Sequence, residues 1–325
     1  MHTVSVATLL NTRSAARSRK RASLLGYGEW VAVMSFHPIL AVLFAWIVAS
    51  IMSMGGISGA FLLLPFQVSV LGLTGPAVTP TNHLYNVVAI PIGVARYVRE
   101  RRMLWPLTLV IIAGTLPGVI LGSLIRISLL PDARNFKLFM GLVLVLIGSR
   151  LFARVLRRPD APPPAPESFI VRTLRFDWQR FIYSFQGQSH DVSVPHLLLL
   201  TAAVGVIGGA YGVGGGAIIA PILVSMWNLP IHTTAGATLG ATFLTSLVGV
   251  CFFWLAGALV GVPDVSPDWL LGLSFGVGGL LGTYTGARLQ RYVKQRLLEG
   301  ILGVVVTGLG LSYVVGFLVA VAAGG

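Results

Sequence analysis

The chain alternates between long apolar runs and short polar breaks along most of its length. Several runs have the roughly 20 residues that a helix needs to cross the hydrocarbon core of a bilayer. The pattern therefore predicts an all-α, multi-pass membrane protein with two sets of helices, each set a pair of helices broken by glycines plus three further transmembrane helices. The runs of the first set cover about residues 31–53, 57–73, 76–95, 104–125 and 136–154, and those of the second cover about 194–211, 213–228, 233–257, 268–287 and 298–322.

The composition agrees with an integral membrane protein and excludes a soluble globular domain. Of the 325 residues, 55% are hydrophobic and 10% are charged, and the mean hydropathy is +0.85. The single cysteine, Cys251, lies inside an apolar run, which excludes an intrachain disulfide and argues against a cysteine-based metal site. The apolar runs also hold no cluster of histidine and carboxylate residues, so we predict neither metal nor cofactor.

The basic residues are concentrated in loops between the runs. In a soluble protein the net charge of +13 would indicate nucleic acid, but here it sets topology. If each half of the chain crosses the membrane an odd number of times, three basic clusters face the cytoplasm, and the loop with Asp264 and Asp268 faces the other side. This arrangement predicts two inverted halves. The clusters are Arg96, Arg99, Arg101 and Arg102; Arg150, Arg154, Arg157 and Arg158; and Arg288, Arg291, Lys294 and Arg296.

One basic group disagrees with this orientation. The residues Arg13, Arg17, Arg19, Lys20 and Arg21 precede the first run and would lie outside. We keep the inverted arrangement because three clusters support it. The chain then divides into an amino-terminal basic tail (1–28), a first transmembrane repeat (29–158), a cytoplasmic linker (159–193) and a second transmembrane repeat (194–325).

The linker begins with a proline-rich segment, residues 160–166, which predicts a stiff extended spacer. The next segment places Arg172, Arg175 and Gln179 on one helical face among large apolar residues. This spacing predicts an amphipathic helix on the cytoplasmic leaflet. A regulatory or partner-binding role for the helix is the alternative.

Two related glycine-rich motifs interrupt short apolar runs. They are GGISGAFLLLP at 55–65 and GVGGGAIIAP at 212–221. Glycine weakens a helix, and a helix broken within the membrane must direct its freed backbone groups toward protein, water or substrate. We expect the glycines to leave a cavity, and the half-helices beginning near Phe61 and Ala217 to attract anions with their amino termini. A tight turn between close-packed helices is the alternative.

The motifs belong to a longer internal repeat. Pro65 and Thr81 in the first half match Pro221 and Thr238 in the second at nearly constant separation. Each half also has a tryptophan followed, nine residues later, by glycines at a spacing of four, which places them on one helix face. We predict that these glycine ladders are helix-packing surfaces. The ladders are Gly114, Gly118 and Gly122 after Trp105, and Gly278, Gly282 and Gly286 after Trp269.

With these motifs the chain resembles the TauE/SafE sulfite exporter family. The resemblance rests on GVGGGAIIAPIL followed by ATLGATFLTS, and on GGISGAFLLLPF followed by PTNHLYN. It covers nearly the whole chain outside the amino-terminal tail and the linker, although Ile57 and Ser58 depart from the family's glycine run. The resemblance implies a multi-pass transporter of sulfite, organosulfonates or related small anions in the bacterial cytoplasmic membrane.

Polar side chains within the apolar runs complete the predicted substrate site, because such residues are expensive in a membrane. Uncharged donors opposite helix termini suit the three acceptor oxygens of a sulfonate. For each polar residue the alternative is interhelical hydrogen bonding, and His83 is either a structural residue or a proton carrier. The predicted substrate-binding residues are Gly55, Gly56, Ser58, Gly59, Gln67, Thr81, Asn82, His83, Asn86, Gly212, Gly214, Gly215, Gly216, Thr238 and Thr242.

The positions of the carboxylates argue for an anionic substrate. No aspartate or glutamate lies centrally in an apolar run, whereas a cationic substrate or a carboxylate-based proton coupling would need one. The absence of paired carboxylates also argues against a membrane-embedded enzyme. We predict a secondary transporter that works by alternating access, with a channel of the same fold, or a carrier of another small organic anion, as alternatives. The expected partners are the anion and the bilayer but not nucleic acid, and a homodimer is left open.

Overall fold

A computed structural model describes residues 38–54, 58–73, 75–101, 103–157, 171–185, 187–227, 229, 231–289 and 295–322. The amino-terminal tail, residues 158–170 and Arg291 lie outside the described residues, as do Gly55 and Gly56 of the predicted site. The described chain is mostly helical, as predicted, but it is not all-α, because the linker forms a small sheet.

The helices follow the predicted apolar runs, except that the predicted run 76–95 forms two helices. The described part of the first half contains α1 (Pro38–Met54), α2 (Ala60–Ser69), α3 (Val78–Ala89), α4 (Pro91–Arg99), α5 (Trp105–Ser128) and α6 (Ala133–Arg157). That of the second half contains α7 (Val194–Tyr211), α8 (Gly215–Met226), α9 (Ile231–Val260), α10 (Trp269–Leu289) and α11 (Gln295–Ala322).

Five segments of these helices are long and apolar enough to cross a membrane, which makes the chain a multi-pass membrane protein. By contrast, α2 has 10 residues and α8 has 12, so neither crosses a bilayer alone. These two short helices begin within the glycine motifs. The five segments are Trp105–Ser128, Ala133–Ala153, Val194–Tyr211, Thr233–Val260 and Gly300–Ala322.

The glycine ladder of α5 packs against α7 of the other half. A Cβ atom at Gly118 would overlap the carbonyl oxygen of Ala202, and one at Gly122 would overlap that of Val206. The absence of side chains therefore brings the two backbones into direct contact. Because the partner position advances along α7 as the ladder advances along α5, the two helices run in the same direction.

The ladder of α10 makes the reciprocal contact with α1. A Cβ atom at Gly278 would overlap the carbonyl oxygen of Val42, and one at Gly282 would lie 2.5 Å from that of Trp46. These helices also run in the same direction. The prediction that both ladders are packing surfaces is confirmed, and each ladder joins one half of the chain to the other.

The linker folds as a three-stranded antiparallel sheet in the order β1 (Val171–Phe176), β2 (Arg180–Phe185) and β3 (Gln188–Ser193). The predicted amphipathic helix is therefore wrong. In β2 the buried residues Phe181, Tyr183 and Phe185 alternate with more accessible ones, which is the period of a strand with one covered face. Aromatic residues at this period favour a sheet over a helix.

The turn between β1 and β2 is held by Asp177. Its carboxylate accepts hydrogen bonds from the backbone N–H groups of Arg180 at 2.8 Å and Gln179 at 3.0 Å, and it pairs with Arg175 at 2.6 Å. The backbone N–H groups of Arg180 and Gln179 lower the pKa of Asp177, because they stabilise the charged form. The carboxylate therefore stays ionised at neutral pH and fixes the turn.

Replacing Tyr183 with phenylalanine should loosen the sheet from the helices. The Tyr183 hydroxyl hydrogen-bonds to Thr233 Oγ1 of α9 at 3.0 Å in a buried environment. Losing this bond should destabilise docking by about 1 kcal/mol. Hydrogen exchange of residues 180–193 should become several-fold faster, whereas Trp178→Phe, at an exposed turn position, serves as the control and should leave it unchanged. Equal exchange in both variants would contradict the docking role of Tyr183.

Candidate functional site

The break between α7 and α8 is built from glycines with left-handed backbone conformations. Gly212 ends α7 at φ +87° and donates its N–H to the carbonyl of Gly208 at 2.8 Å. Gly214, at φ +72°, directly precedes α8. Residues with a Cβ atom are strained at such angles, so glycine permits this reversal of the chain.

The glycines at the break leave no free space beside them. A Cβ atom at Gly214 would lie 2.8 Å from Ser246 Oγ, and one at Gly215 would lie 2.6 Å from Thr115 Cβ. A Cβ atom at Gly216 would overlap the carbonyl oxygen of Thr238. These contacts contradict the expectation that the missing side chains leave a cavity here, because close packing of α8 against α5 and α9 uses the space instead.

The breaks of the two halves meet in the protein interior. The Tyr211 hydroxyl, at the end of α7, donates to the carbonyl of Phe61 in α2 at 3.1 Å. Asn82 Nδ2 of α3 donates to the carbonyls of Ala60 and Gly212, both at 3.1 Å. We call these five residues the junction. One buried amide thus ties the start of α2 to the break between α7 and α8.

A second bridge lies one helical turn further along α3. Asn86 Nδ2 donates to Ser246 Oγ of α9 at 3.2 Å, and Asn86 Oδ1 accepts from the Ser58 hydroxyl at 3.2 Å. Ser58 Oγ also lies 3.3 Å from the backbone nitrogen of Ala60 and accepts its hydrogen bond. Asn82 and Asn86 are four residues apart on α3 and therefore face the same way, toward the breaks.

Several buried polar atoms of α2 and α3 have no hydrogen-bond partner among the described residues. They include Asn82 Oδ1 and both amide atoms of Gln67. The His83 ring lies close to the backbone of Gly209 and against Gly249, but neither ring nitrogen makes a hydrogen bond of ordinary geometry there. Buried polar groups are normally paired, so such atoms indicate a place for water or a ligand.

The threonines of α9 are directed mainly at their own helix. Thr242 Oγ1 donates to the Thr238 carbonyl at 2.8 Å, and Thr238 Oγ1 donates to Ala235 at 3.1 Å. Thr245 Oγ1 reaches the break, where it accepts a hydrogen bond from the Gly215 N–H at 3.3 Å. The predicted Thr238 and Thr242 therefore pack against Gly216. The α9 hydroxyl that hydrogen-bonds to the start of α8 is that of Thr245.

Thr81 lies apart from the junction, although its sequence position matches Thr238. Its hydroxyl donates to the Ala77 carbonyl at 2.7 Å and accepts from the backbone N–H of Asp268 at 2.9 Å, just before α10. Among the described residues Thr81 thus serves a helix start rather than the breaks. Gly59 directly precedes Ala60 of the junction, and a Cβ atom there would lie 2.5 Å from the Tyr85 hydroxyl.

Sequence reasoning missed the contributions of Tyr211, Thr115 and Arg126. Tyr211 lies just before a glycine motif and Thr115 just after a ladder glycine, where no pattern distinguishes them from core residues. Arg126 could have been found, because an arginine inside the apolar stretch SLIRIS is unusual in a membrane helix. It is fully buried at the end of α5.

Comparison with known proteins identifies the family of this chain. The family model described as "Sulfite exporter TauE/SafE" matches residues 40–313, which is most of the chain and includes both breaks. The chain belongs to the TauE/SafE family. It is therefore a membrane transporter, in agreement with the resemblance read from the glycine motifs.

The relatives of this TauE/SafE protein carry general transporter names. "Probable membrane transporter protein YunE" of Bacillus subtilis is 22% identical over 289 residues, covering 86% of this chain and 98% of the relative. "Probable membrane transporter protein y4hK" of Sinorhizobium fredii is 26% identical over 246 residues, covering 74% and 84%. A "Probable membrane transporter protein" of Xylella fastidiosa strain Temecula1 is 25% identical over 273 residues, covering 79% and 87%. No solved structure matches the chain.

Proposed function

We propose that this TauE/SafE transporter exports sulfite or small organosulfonates across the bacterial cytoplasmic membrane by alternating access. The contacts at the junction support this proposal most strongly. There Asn82 donates hydrogen bonds both to the start of α2 and to Gly212 in the break that precedes α8, so a break of each half lies against one buried side chain. Discontinuous helices that meet at mid-membrane are typical of the substrate sites of secondary transporters.

The charges around the junction support an anionic substrate. The amino termini of α2 and α8 carry partial positive charge, and Asn86 and Thr245 add neutral hydrogen-bonding groups beside them. No acidic side chain of the described residues forms a hydrogen bond or ion pair at the junction. A cation would lack a counter-charge there, whereas the oxygens of a sulfonate would find donors.

The reciprocal ladder contacts support two inverted repeats, 29–158 and 194–325, as the basis of alternating access. At one end of the bundle the Tyr97 ring lies beside Gly236, and the sheet docks on the start of α9 through Tyr183. At the other end, Asp264 lies beside Gly75. The basic loop after α4 therefore lies at the first end, which we propose is cytoplasmic because positive loops remain inside.

The close packing at the break favours a carrier over a channel. Gly215 contacts the Thr115 side chain, and Gly216 contacts the backbone of α9, so among the described residues the space beside these two glycines is filled in this conformation. A carrier must exclude a continuous pore in each of its states. Movement of the two halves against each other would then expose the junction to either side in turn.

Export of a monoanion should follow the membrane potential and should survive His83→Gln. Each elementary charge moving across the membrane is worth about 2.3 kcal/mol per 100 mV, or roughly fiftyfold accumulation. Glutamine retains hydrogen-bonding groups but cannot carry a proton at neutral pH. Proteoliposomes under a potassium–valinomycin potential, with and without a pH step, should show potential-driven flux of labelled sulfite or sulfoacetate in both variants, with taurine and sulfate as comparison substrates.

Three results would overturn this account. A flux that ignores the potential, follows the pH step and disappears in His83→Gln would identify His83 as the coupling group. Flux that neither saturates nor exchanges labelled substrate would identify a channel. Transport of none of the sulfur anions, in vesicles that contain correctly inserted protein, would exclude the proposed substrate class.

A further inference from the structure

Arg126 presents a buried positive charge near the end of α5. Its side chain has no exposed surface. Nε donates to Thr79 Oγ1 at 3.1 Å, Nη2 donates to the Gly75 carbonyl at 3.0 Å, and Nη1 donates to the Leu130 carbonyl. The guanidinium also lies 3.8 Å from the centre of the Phe136 ring. All of these partners are neutral.

No carboxylate compensates this charge within the described part of the chain. Asp132 follows α5 closely in sequence, but it is exposed and makes no ion pair with Arg126. Asp264 lies beside Gly75, and it is in none of the ion pairs among the described residues. A buried charge without a counter-charge is unfavourable, so its presence in a membrane helix indicates a function.

Thr79 connects Arg126 to the break between α7 and α8. The Thr79 hydroxyl, which accepts from Arg126, donates to the Ala210 carbonyl at 3.2 Å. The Thr79 backbone carbonyl lies against Gly212, where a Cβ atom would approach it to 2.5 Å. One residue of α3 therefore separates the guanidinium from the junction, on the side that leads to Gly75 and Asp264.

Two features give Arg126 the capacity to bind an anion. Its guanidinium has five N–H donors, and the three hydrogen bonds above leave two N–H groups for other acceptors. Ser123, one turn earlier on α5, has a buried hydroxyl without a partner among the described residues. Residues three apart on a helix lie on one face, so Ser123 and Arg126 are neighbours.

We propose that Arg126 and Ser123 form an anion subsite between the junction and the end of the protein that carries Asp264. The ligand is an oxyanion of the sulfonate, sulfite or carboxylate type, whose oxygens fit the planar guanidinium fork. Only the position of this subsite on a transport path rests on the proposed function. Binding of the anion can be tested without transport.

The test compares anion binding in four forms of the purified full-length protein: wild type, Arg126→Gln, Arg126→Lys and Arg134→Gln. Arg134 is exposed on α6, so its substitution removes the same charge outside the subsite. The probes are sodium ethanesulfonate and sodium sulfite, against sodium chloride at equal ionic strength. Binding is measured as the increase in Tm with anion concentration.

We expect Arg126→Gln to raise the Kd for ethanesulfonate at least tenfold. Arg126→Lys should weaken binding less than Arg126→Gln does, because it retains the charge but loses the planar fork, and Arg134→Gln should match wild type. A purely structural arginine gives a different result: Tm without anion falls in Arg126→Gln, but the response to anion stays that of wild type. That result overturns the subsite.

If both Arg126 variants fail to fold, Ser123→Ala tests the anion subsite instead. This small substitution should weaken ethanesulfonate binding about threefold or more, and binding equal to wild type would overturn the subsite. Failure of the proposed function gives a separate result. Sulfonate binding that depends on Arg126, without any flux in proteoliposomes, refutes sulfonate transport but retains the subsite, whereas normal flux and binding in Arg126→Gln refutes the subsite alone.

Discussion

Replacing Gly216 with alanine is expected to abolish transport and to destabilise the protein by about 2–3 kcal/mol, as overpacking of a close-packed interior does. The new methyl group would overlap the carbonyl oxygen of Thr238 and lie 2.6 Å from Thr242 Oγ1. The carbonyl belongs to the backbone of α9, which has no rotamer with which to move away. The start of α8 must therefore shift, and the break with it.

Gly215→Ala provides the matched comparison, because its clash involves a side chain. The new methyl group would lie 2.6 Å from Thr115 Cβ and 2.5 Å from Thr115 Cγ2. Initial transport rates should fall at least tenfold in Gly215→Ala and recover partly in the double variant with Thr115→Gly. No such partner can rescue Gly216→Ala, and Gly215→Val should lose transport completely.

Gly308→Ala is the control for both substitutions. Gly308 lies on α11, where a Cβ atom would meet nothing within 4 Å, so alanine should leave transport unchanged and stabilise the helix slightly. Rates are measured in proteoliposomes at equal protein content, and stability is measured as Tm in detergent. Wild-type rates in Gly216→Ala would show that α8 does not pack on α9 as described.

Substituting Asn82 with aspartate is expected to reduce transport at least a hundredfold. The amide Nδ2 that donates to Ala60 and Gly212 would become a carboxylate oxygen facing two carbonyls. A charge of this kind at the centre of a membrane helix costs about 3 kcal/mol, and it would also repel an anionic substrate. Both effects lower the rate of transport.

Asn82→Ala separates the loss of the hydrogen bonds from the added charge. Two buried carbonyls would lose their donor, at about 1–3 kcal/mol each. The variants should therefore rank wild type, alanine, aspartate in both Tm and initial rate. Asn135→Ala, at an exposed position on α6, should behave as wild type. An aspartate variant that is more active than the alanine variant would argue against an anion at the junction.

The positions of the helices were predictable because a helix that crosses the membrane needs an apolar run as long as the hydrocarbon core is thick. The predicted runs 104–125 and 194–211 correspond to α5 (Trp105–Ser128) and α7 (Val194–Tyr211). The ladders were predictable for a similar reason. Glycines at a spacing of four fall on one face, and in a membrane such a face packs against another helix.

The sheet was mispredicted because the sequence of a short amphipathic segment is compatible with both a helix and a strand. Arg172 and Arg175 suit a helical face, but Phe181, Tyr183 and Phe185 also alternate, and pairing with β1 and β3 selects the strand. Strand pairing is a contact between segments, so the spacing of residues within β2 does not reveal it.

The sequence by itself determined the membrane class, the apolar helices, the glycine ladders and the location of the break between α7 and α8, because these depend on composition and on periods within a segment. The tertiary structure decided that Asn82 joins Ala60 to Gly212, that Thr81 accepts the backbone N–H of Asp268 before α10, and that Arg126 reaches Thr79. These pairs lie 22 to 187 positions apart in the chain. Contacts at such separations depend on how the helices pack together, which no local pattern encodes.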